Sequence, residues 1–138
     1  IESMPEADTI SMKLEKLQQT WETLYLEKEK EYNAKITAYV EIKDDETVSP
    51  TIKEVKEQEI QNLREQLIGM QESAQKSIQA EQMTLLEPLL TKIKETIAAV
   101  AKSNGYAYVM DSSEGGGLIY SDSSYDLMPL VKAKLGLK

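Results

Sequence analysis

The chain has 138 residues, with 24 acidic and 16 basic side chains, a formal charge of −8, 41% hydrophobic residues, no Phe and one Trp. Neither Cys nor His occurs, which excludes a disulfide framework, thiolate metal sites, Cys or Ser–His nucleophiles and the commonest zinc ligand. A single Arg, Arg64, and an excess of acid in the first third (12 acids, 6 bases over residues 1–50) leave no cationic cluster for nucleic acid, and no apolar run is long enough to cross a bilayer.

This length fits a single domain, residues 1–138, with one modest core. The chain begins at Ile1 without an initiator Met or a leader, as a processed form or a fragment would. Pro5 with Asp8 or Thr9 marks the start of a helix, and the polar, Gly-free stretch behind it runs to about Ile42. Leu14, Leu17, Trp21 and Leu24 step by 3, 4 and 3, the spacing of a coiled-coil seam. Farther on the seam turns aromatic, through Tyr25, Tyr32, Ile36, Tyr39 and Val40. KDDETVSPT (43–51) then breaks the helix, with Ser49 placed as an N-cap and Pro50 at the first helical position.

A second helix is expected over about 50–103. Its apolar positions include Ile52, Val55, Ile60, Leu63, Leu67, Met70, Ala74, Ile78, Leu85, Leu89, Ile93, Ile97 and Val100. Steps of four in a row drift from strict heptads and relax a left-handed supercoil. Over 85–101 the apolar face widens, as it does where a helix meets more than one neighbour. Roughly 33 and 50 residues at about 1.5 Å each give rods of some 50 and 75 Å, longer than the ~30–35 Å of a globule of this mass. The expectation is therefore an elongated helical hairpin, with an arm over about 8–84, a tip over about 43–51 and a body over about 85–138. Pro88 lies inside the helical pattern, where a missing N–H makes either a tolerated kink or a hinge at the root of the arm.

Asn104-Gly105 supplies a helix C-cap. YAYVMD (106–111) alternates Tyr106, Tyr108 and Met110 against Ala107, Val109 and Asp111, a strand pattern; SSEGGG turns the chain, and LIYS (118–121) makes a second strand. Asp126 is placed as the cap of a short last helix with Leu127, Leu130, Val131 and Leu135 on one face and Gly136 closing it. The fold class is thus mainly α with a small β part. Two strands this short are marginal alone, so oligomerisation is the simplest source of partners for them.

Catalytic and ligand readings fail on the residues. From Asp111 a calcium loop would put Gly115 at position 5 and Asp122 at position 12, where Asp or Asn and then Glu are needed. GGG (115–117) has no Lys-Ser/Thr behind it, and acids such as Glu27 and Glu31 form a solvated face with no pocket to raise a pKa. The reading is of a non-enzyme without cofactor or metal. Tyr25, Tyr32 and Tyr39 recur every seven residues. They either pack on the partner helix or offer rigid amphipathic contact to apolar segments of other proteins.

AVAKSNGYAYVMDSS, GGLIYSDSS and YDLMPLVKAKL (99–135) together resemble the closing module of the Skp/OmpH family of periplasmic chaperones. The matching positions are Val109 and Asp111, Tyr120, and Asp126-Leu127 with Leu130 and Val131. LLEPLLTKIKETI looks like members from the Bacteroidetes. The resemblance implies a homotrimer in which short strands of three chains form a small barrel and three hairpin arms enclose a cavity. That cavity holds unfolded outer-membrane proteins in the periplasm, without ATP. The resemblance puts Tyr106, Tyr108, Met110, Leu118, Tyr120, Leu127, Leu130 and Val131 at the assembly interface; the seven-residue recurrence of Tyr25, Tyr32 and Tyr39 makes them possible client contacts. In the family an N-terminal strand precedes the first helix; this chain starts just after it, which reads as truncation. The best-known members carry basic arms and this one is acidic, so steering of acidic clients and lipopolysaccharide binding by a basic patch do not carry over. The rival reading is a coiled-coil adaptor that binds a folded partner through the acidic tip Glu41, Asp44, Asp45 and Glu46.

Overall fold

The computed structural model describes residues 4–113, 116 and 118–137. Three α-helices follow in order: α1 over Pro5–Ile42, α2 over Pro50–Ser103 and α3 over Met128–Lys134, with a 3-10 turn at Ser123–Tyr125 before the last. The chain divides into two compact units, residues 11–82 and residues 1–10 with 83–138.

α1 begins with Pro5 at its first position, where the missing N–H costs nothing. Glu6 and Asp8 in the first turn complement the positive end of the helix dipole. Asp8 and Thr9 therefore stand inside the helix and do not cap it. In the unit of residues 11–82 the loop after Ile42 is closed by Asp45, whose Oδ1 accepts from the Thr47 N–H (2.8 Å) and from the Thr47 hydroxyl (2.6 Å). This side chain imitates a backbone turn, which Asp does well. The Ser49 carbonyl accepts from Ile52 and Lys53 and so starts α2, with Pro50 as its first residue.

The two helices pair antiparallel here. Tyr39 meets Glu57, Lys35 meets Glu59 and Tyr25 meets Gln71, so each step back along α1 is matched by a step forward along α2. Leu63 and Leu67 are buried, while Leu14, Leu17, Trp21, Tyr25, Tyr32 and Ile36 are half-buried. The α1 seam departs from the expected one at Leu24, which is 45% exposed. From Trp21 the next inward residue is Tyr25, then Lys28 and Tyr32. That step of four turns the stripe past Leu24, as an inserted stutter does in a coiled coil. Val40, Ile52 and Val55 are likewise exposed and do not line the seam. Lys35, Lys53 and Lys56 are half-buried there instead. Their methylene stems can cover apolar surface while the ammonium reaches the edge.

In the other unit Met4, Ile10, Leu89, Val100, Ala101 and Val131 are buried. Asn104 donates its side-chain amide to the Val100 carbonyl (2.8 Å). Gly105 follows at φ +74°, and the Tyr106 N–H closes on Ala101 (3.0 Å). A side chain at a positive φ would be strained, so glycine ends α2 cheaply. The Asp122 carboxylate caps the 3-10 turn through Ser124, and Asp126 Oδ1 accepts from Met128 N (2.8 Å), one residue into α3.

The expected strands do not form among the described residues: 106–113 and 118–122 carry no ladder. Their alternating pattern needs strand partners, and two segments of this length hold too few hydrogen bonds to pair alone. The turn residues Glu114, Gly115 and Gly117 lie outside the described residues.

Candidate interaction surfaces

Among the described residues eight apolar side chains are buried, whereas nineteen large ones are exposed. Each unit has its own exposed apolar surface.

In the unit of residues 1–10 and 83–138 the exposed large apolar groups are Met83 and Leu90 on α2 and a series over residues 106–130. Tyr108 (85%), Ile119 (102%) and Tyr120 (79%) are nearly as open as in an extended chain, and Met110, Leu118 and Leu130 are exposed as well. Tyr106 lies at the edge of exposure, Leu127 is half-buried and Val131 is buried. Of the eight residues assigned to assembly, six thus stand at the surface and Val131 instead fills the unit's own interior. Tyr106 and Val109 border an open groove against Ile97, Ala98 and Ala101, rimmed by Lys94 and Lys102.

The carboxylates near this stretch are used locally. Asp111 accepts from the Ser113 N–H (2.9 Å), and Asp122 from the Ser124 hydroxyl (2.7 Å) and N–H. Bonds from those partners hold both carboxyls below the usual aspartate value. Among the described residues no group of three potential metal ligands comes together. Lys92 and Glu6 form an ion pair, which lowers the Glu6 pKa.

In the unit of residues 11–82 the three tyrosines are half-buried along α1. Gln71 Nε2 donates to the Tyr25 hydroxyl (3.3 Å), and the Tyr39 hydroxyl donates to Glu57. Two of the three are therefore tied to α2 by their polar ends. Lys35 donates to Glu59 (2.6 Å), and Lys53 reaches the Lys43 carbonyl (2.9 Å) across the loop. The bond to Lys35 lowers the Glu59 pKa and raises that of Lys35; the bond to Glu57 raises that of Tyr39.

These shifts set a pH dependence. A lowered Glu59 value means its contribution is complete above the ordinary glutamate value and is lost as pH falls through the lowered one. The raised Lys35 and Tyr39 values mean their contributions are complete below the ordinary values and are lost as pH rises through the raised ones. The thermal midpoint, followed by far-UV circular dichroism, is thus expected to be flat near neutrality and to fall below about pH 4 and above about pH 10. Glu59→Gln should flatten the acid limb; an acid limb of unchanged size would contradict the assignment.

Sequence reading missed the solvent-facing apolar groups of the hairpin, Met12, Leu26, Val40, Ile52, Val55 and Ile68. For Val40, Ile52 and Val55 the available signal is Lys at the nearby half-buried positions 35, 53 and 56.

A long antiparallel helical hairpin and, in the other unit, a stretch of exposed apolar side chains are suited to contacts with other protein chains. The family model described as Outer membrane protein (OmpH-like) matches residues 1–135. The chain belongs to this OmpH-like family, which is known for periplasmic chaperones of outer-membrane proteins. No curated protein matches the chain as a relative. No helix among the described residues is long and apolar enough to cross a membrane.

Proposed function

We propose that this protein is an ATP-independent holdase that binds unfolded outer-membrane proteins in the periplasm and keeps them from aggregating. The observation that carries the reading is the family match over nearly the whole chain. We further propose that it acts as a homotrimer. The uncovered segments 106–113 and 118–122 support this, because the strand partners they lack would come from two further copies. In that assembly residues 8–84 serve as an arm, 43–51 as its tip and 85–138 as the body, with Tyr106, Tyr108, Met110, Leu118, Tyr120, Leu127 and Leu130 at the interface and Val131 beneath it. Three arms would hold one client by many weak contacts at high effective concentration.

The test is light scattering from a urea-unfolded outer-membrane barrel diluted into buffer without nucleotide. A threefold molar excess of the protein should abolish the scattering; scattering that proceeds unchanged would remove the holdase role.

Tyr25, Tyr32 and Tyr39 are assigned to client contact through the ring faces that α2 leaves open. Replacing all three with Ser should weaken capture about tenfold or more, given ~0.5–1.5 kcal/mol for an aromatic contact of this kind. Capture at full strength with helicity intact would return them to a purely interhelical role. Pro88 is assigned as the pivot between arm and body, since α2 runs from Pro50 to Ser103 through a residue with no N–H to donate. Pro88→Ala should narrow the distance distribution between spin labels on neighbouring arms. An unchanged width would leave Pro88 as a tolerated break.

A further inference from the structure

The loop end of the hairpin is patterned inside out. Lys35, Lys53 and Lys56 are half-buried toward the seam, Lys35 held by Glu59 and Lys53 by the Lys43 carbonyl. Val40, Ile52 and Val55, which binary patterning would bury, are 54%, 50% and 54% exposed. Tyr39 meets Glu57 and Lys53 meets Lys43, so all three aliphatics lie within the last few turns before the loop. The acids of the same region point the other way in number: seven occur over residues 41–59 against three lysines. Of these, Glu41, Asp44, Glu46 and Glu54 are exposed. Lys43 lies beside Asp44 and Lys53 is held at the Lys43 carbonyl, and with three lysines against seven acids the balance of residues 41–59 stays negative. What faces solvent is therefore aliphatic surface set in negative charge.

We propose that this end of the hairpin binds unfolded polypeptide segments in which aliphatic residues are interspersed with Lys or Arg. Aliphatic contact with Val40, Ile52 and Val55 supplies affinity, and the carboxylate rim selects the charge of the segment. Charge complementarity fixes the occupant: an acidic segment of equal hydrophobicity meets like charge, which costs affinity and slows encounter. The proposal deepens the chaperone reading above by naming the client chemistry at one surface, and it rests on that reading.

The test is fluorescence anisotropy of three labelled, unstructured peptides of equal length with the full chain at 20 mM and 300 mM NaCl. One peptide carries Leu and Lys, one Leu and Glu, one Ser and Lys. The Leu/Lys peptide is expected to bind at least tenfold more tightly than either other at 20 mM salt. Its advantage over Leu/Glu should shrink severalfold at 300 mM, where the screening length falls below 8 Å. The variant Val40→Ser/Ile52→Ser/Val55→Ser, whose sites are already exposed, should keep its helicity and lose most of the Leu/Lys affinity. Equal or tighter binding of Leu/Glu, no binding of Leu/Lys, or full Leu/Lys affinity in the triple variant would each overturn the proposal. Suppression of barrel-protein aggregation is read in parallel. If it persists when the peptide selectivity is absent, the chaperone reading stands and only the charge selection falls. Tight binding of a folded protein with none of the three peptides would favour an adaptor instead.

Discussion

Serine at both Tyr108 and Tyr120 is expected to take the proposed trimer apart and to leave the helices intact. The two rings are among the most open large side chains of the chain, and neither belongs to a helix. Within one chain their removal therefore costs almost nothing. In a trimer each ring would be covered by a neighbouring copy, and a buried interface aromatic is worth about 2 kcal/mol or more on truncation. Two rings in three copies amount to on the order of 12 kcal/mol; because the midpoint of trimer dissociation varies as the square root of its constant, this moves it roughly ten-thousandfold, from nanomolar to about tens of micromolar. Sedimentation velocity at micromolar concentration should show the parent chain as a trimer and the double variant as a monomer of undiminished far-UV ellipticity. A variant that still sediments as a trimer would mean that other surfaces hold the copies together. A variant that loses its helices would mean that these rings support the fold of the single chain.

The hairpin itself should depend on very few side chains. Leu63 and Leu67 are the buried residues of the unit of residues 11–82, at 6% and 8% exposure. Leu→Ala at a buried site costs about 2–5 kcal/mol, with the lower end expected where two helices can close around the gap. Each substitution should thus remove about 2 kcal/mol, and both together should unfold much of the arm at physiological temperature. Leu24→Ala is the sharp comparison. A 3-4-3 reading of the α1 seam makes Leu24 a core residue, whereas at 45% exposure its truncation should cost only about 0.5 kcal/mol. Urea unfolding of the three variants ranks them, and a Leu24 cost equal to that of Leu63 would contradict the seam that runs through Tyr25.

The helices were legible because their punctuation is local chemistry. Pro50 and the Asn104-Gly105 pair act on their own turns, and α2 runs from Pro50 to Ser103 between them. Seam register was harder to read. Apolar identity alone sets Leu24, Val40, Ile52 and Val55 inward, but which stripe turns inward depends on the other helix, and lysine stems can fill a seam as well as aliphatics. The alternation in YAYVMD is a β-type pattern, but a ladder is a property of two segments and none forms here among the described residues. Nothing within residues 106–111 can say whether the partner is local or lies on another copy. The tyrosines show the same limit: a seven-residue spacing places them on one stripe, and only the Gln71 and Glu57 bonds reveal that the stripe touches α2.

The proposed holdase role requires that three copies hold one unfolded client. Native mass spectrometry of the protein, alone and after addition of a urea-unfolded outer-membrane barrel protein, measures this in one spectrum. The predicted species are a trimer and, with client, three chains plus one barrel chain, both without nucleotide. A trimer that ignores the client while binding a folded protein at its arm tips, or a protein that captures the client as a monomer, would contradict it.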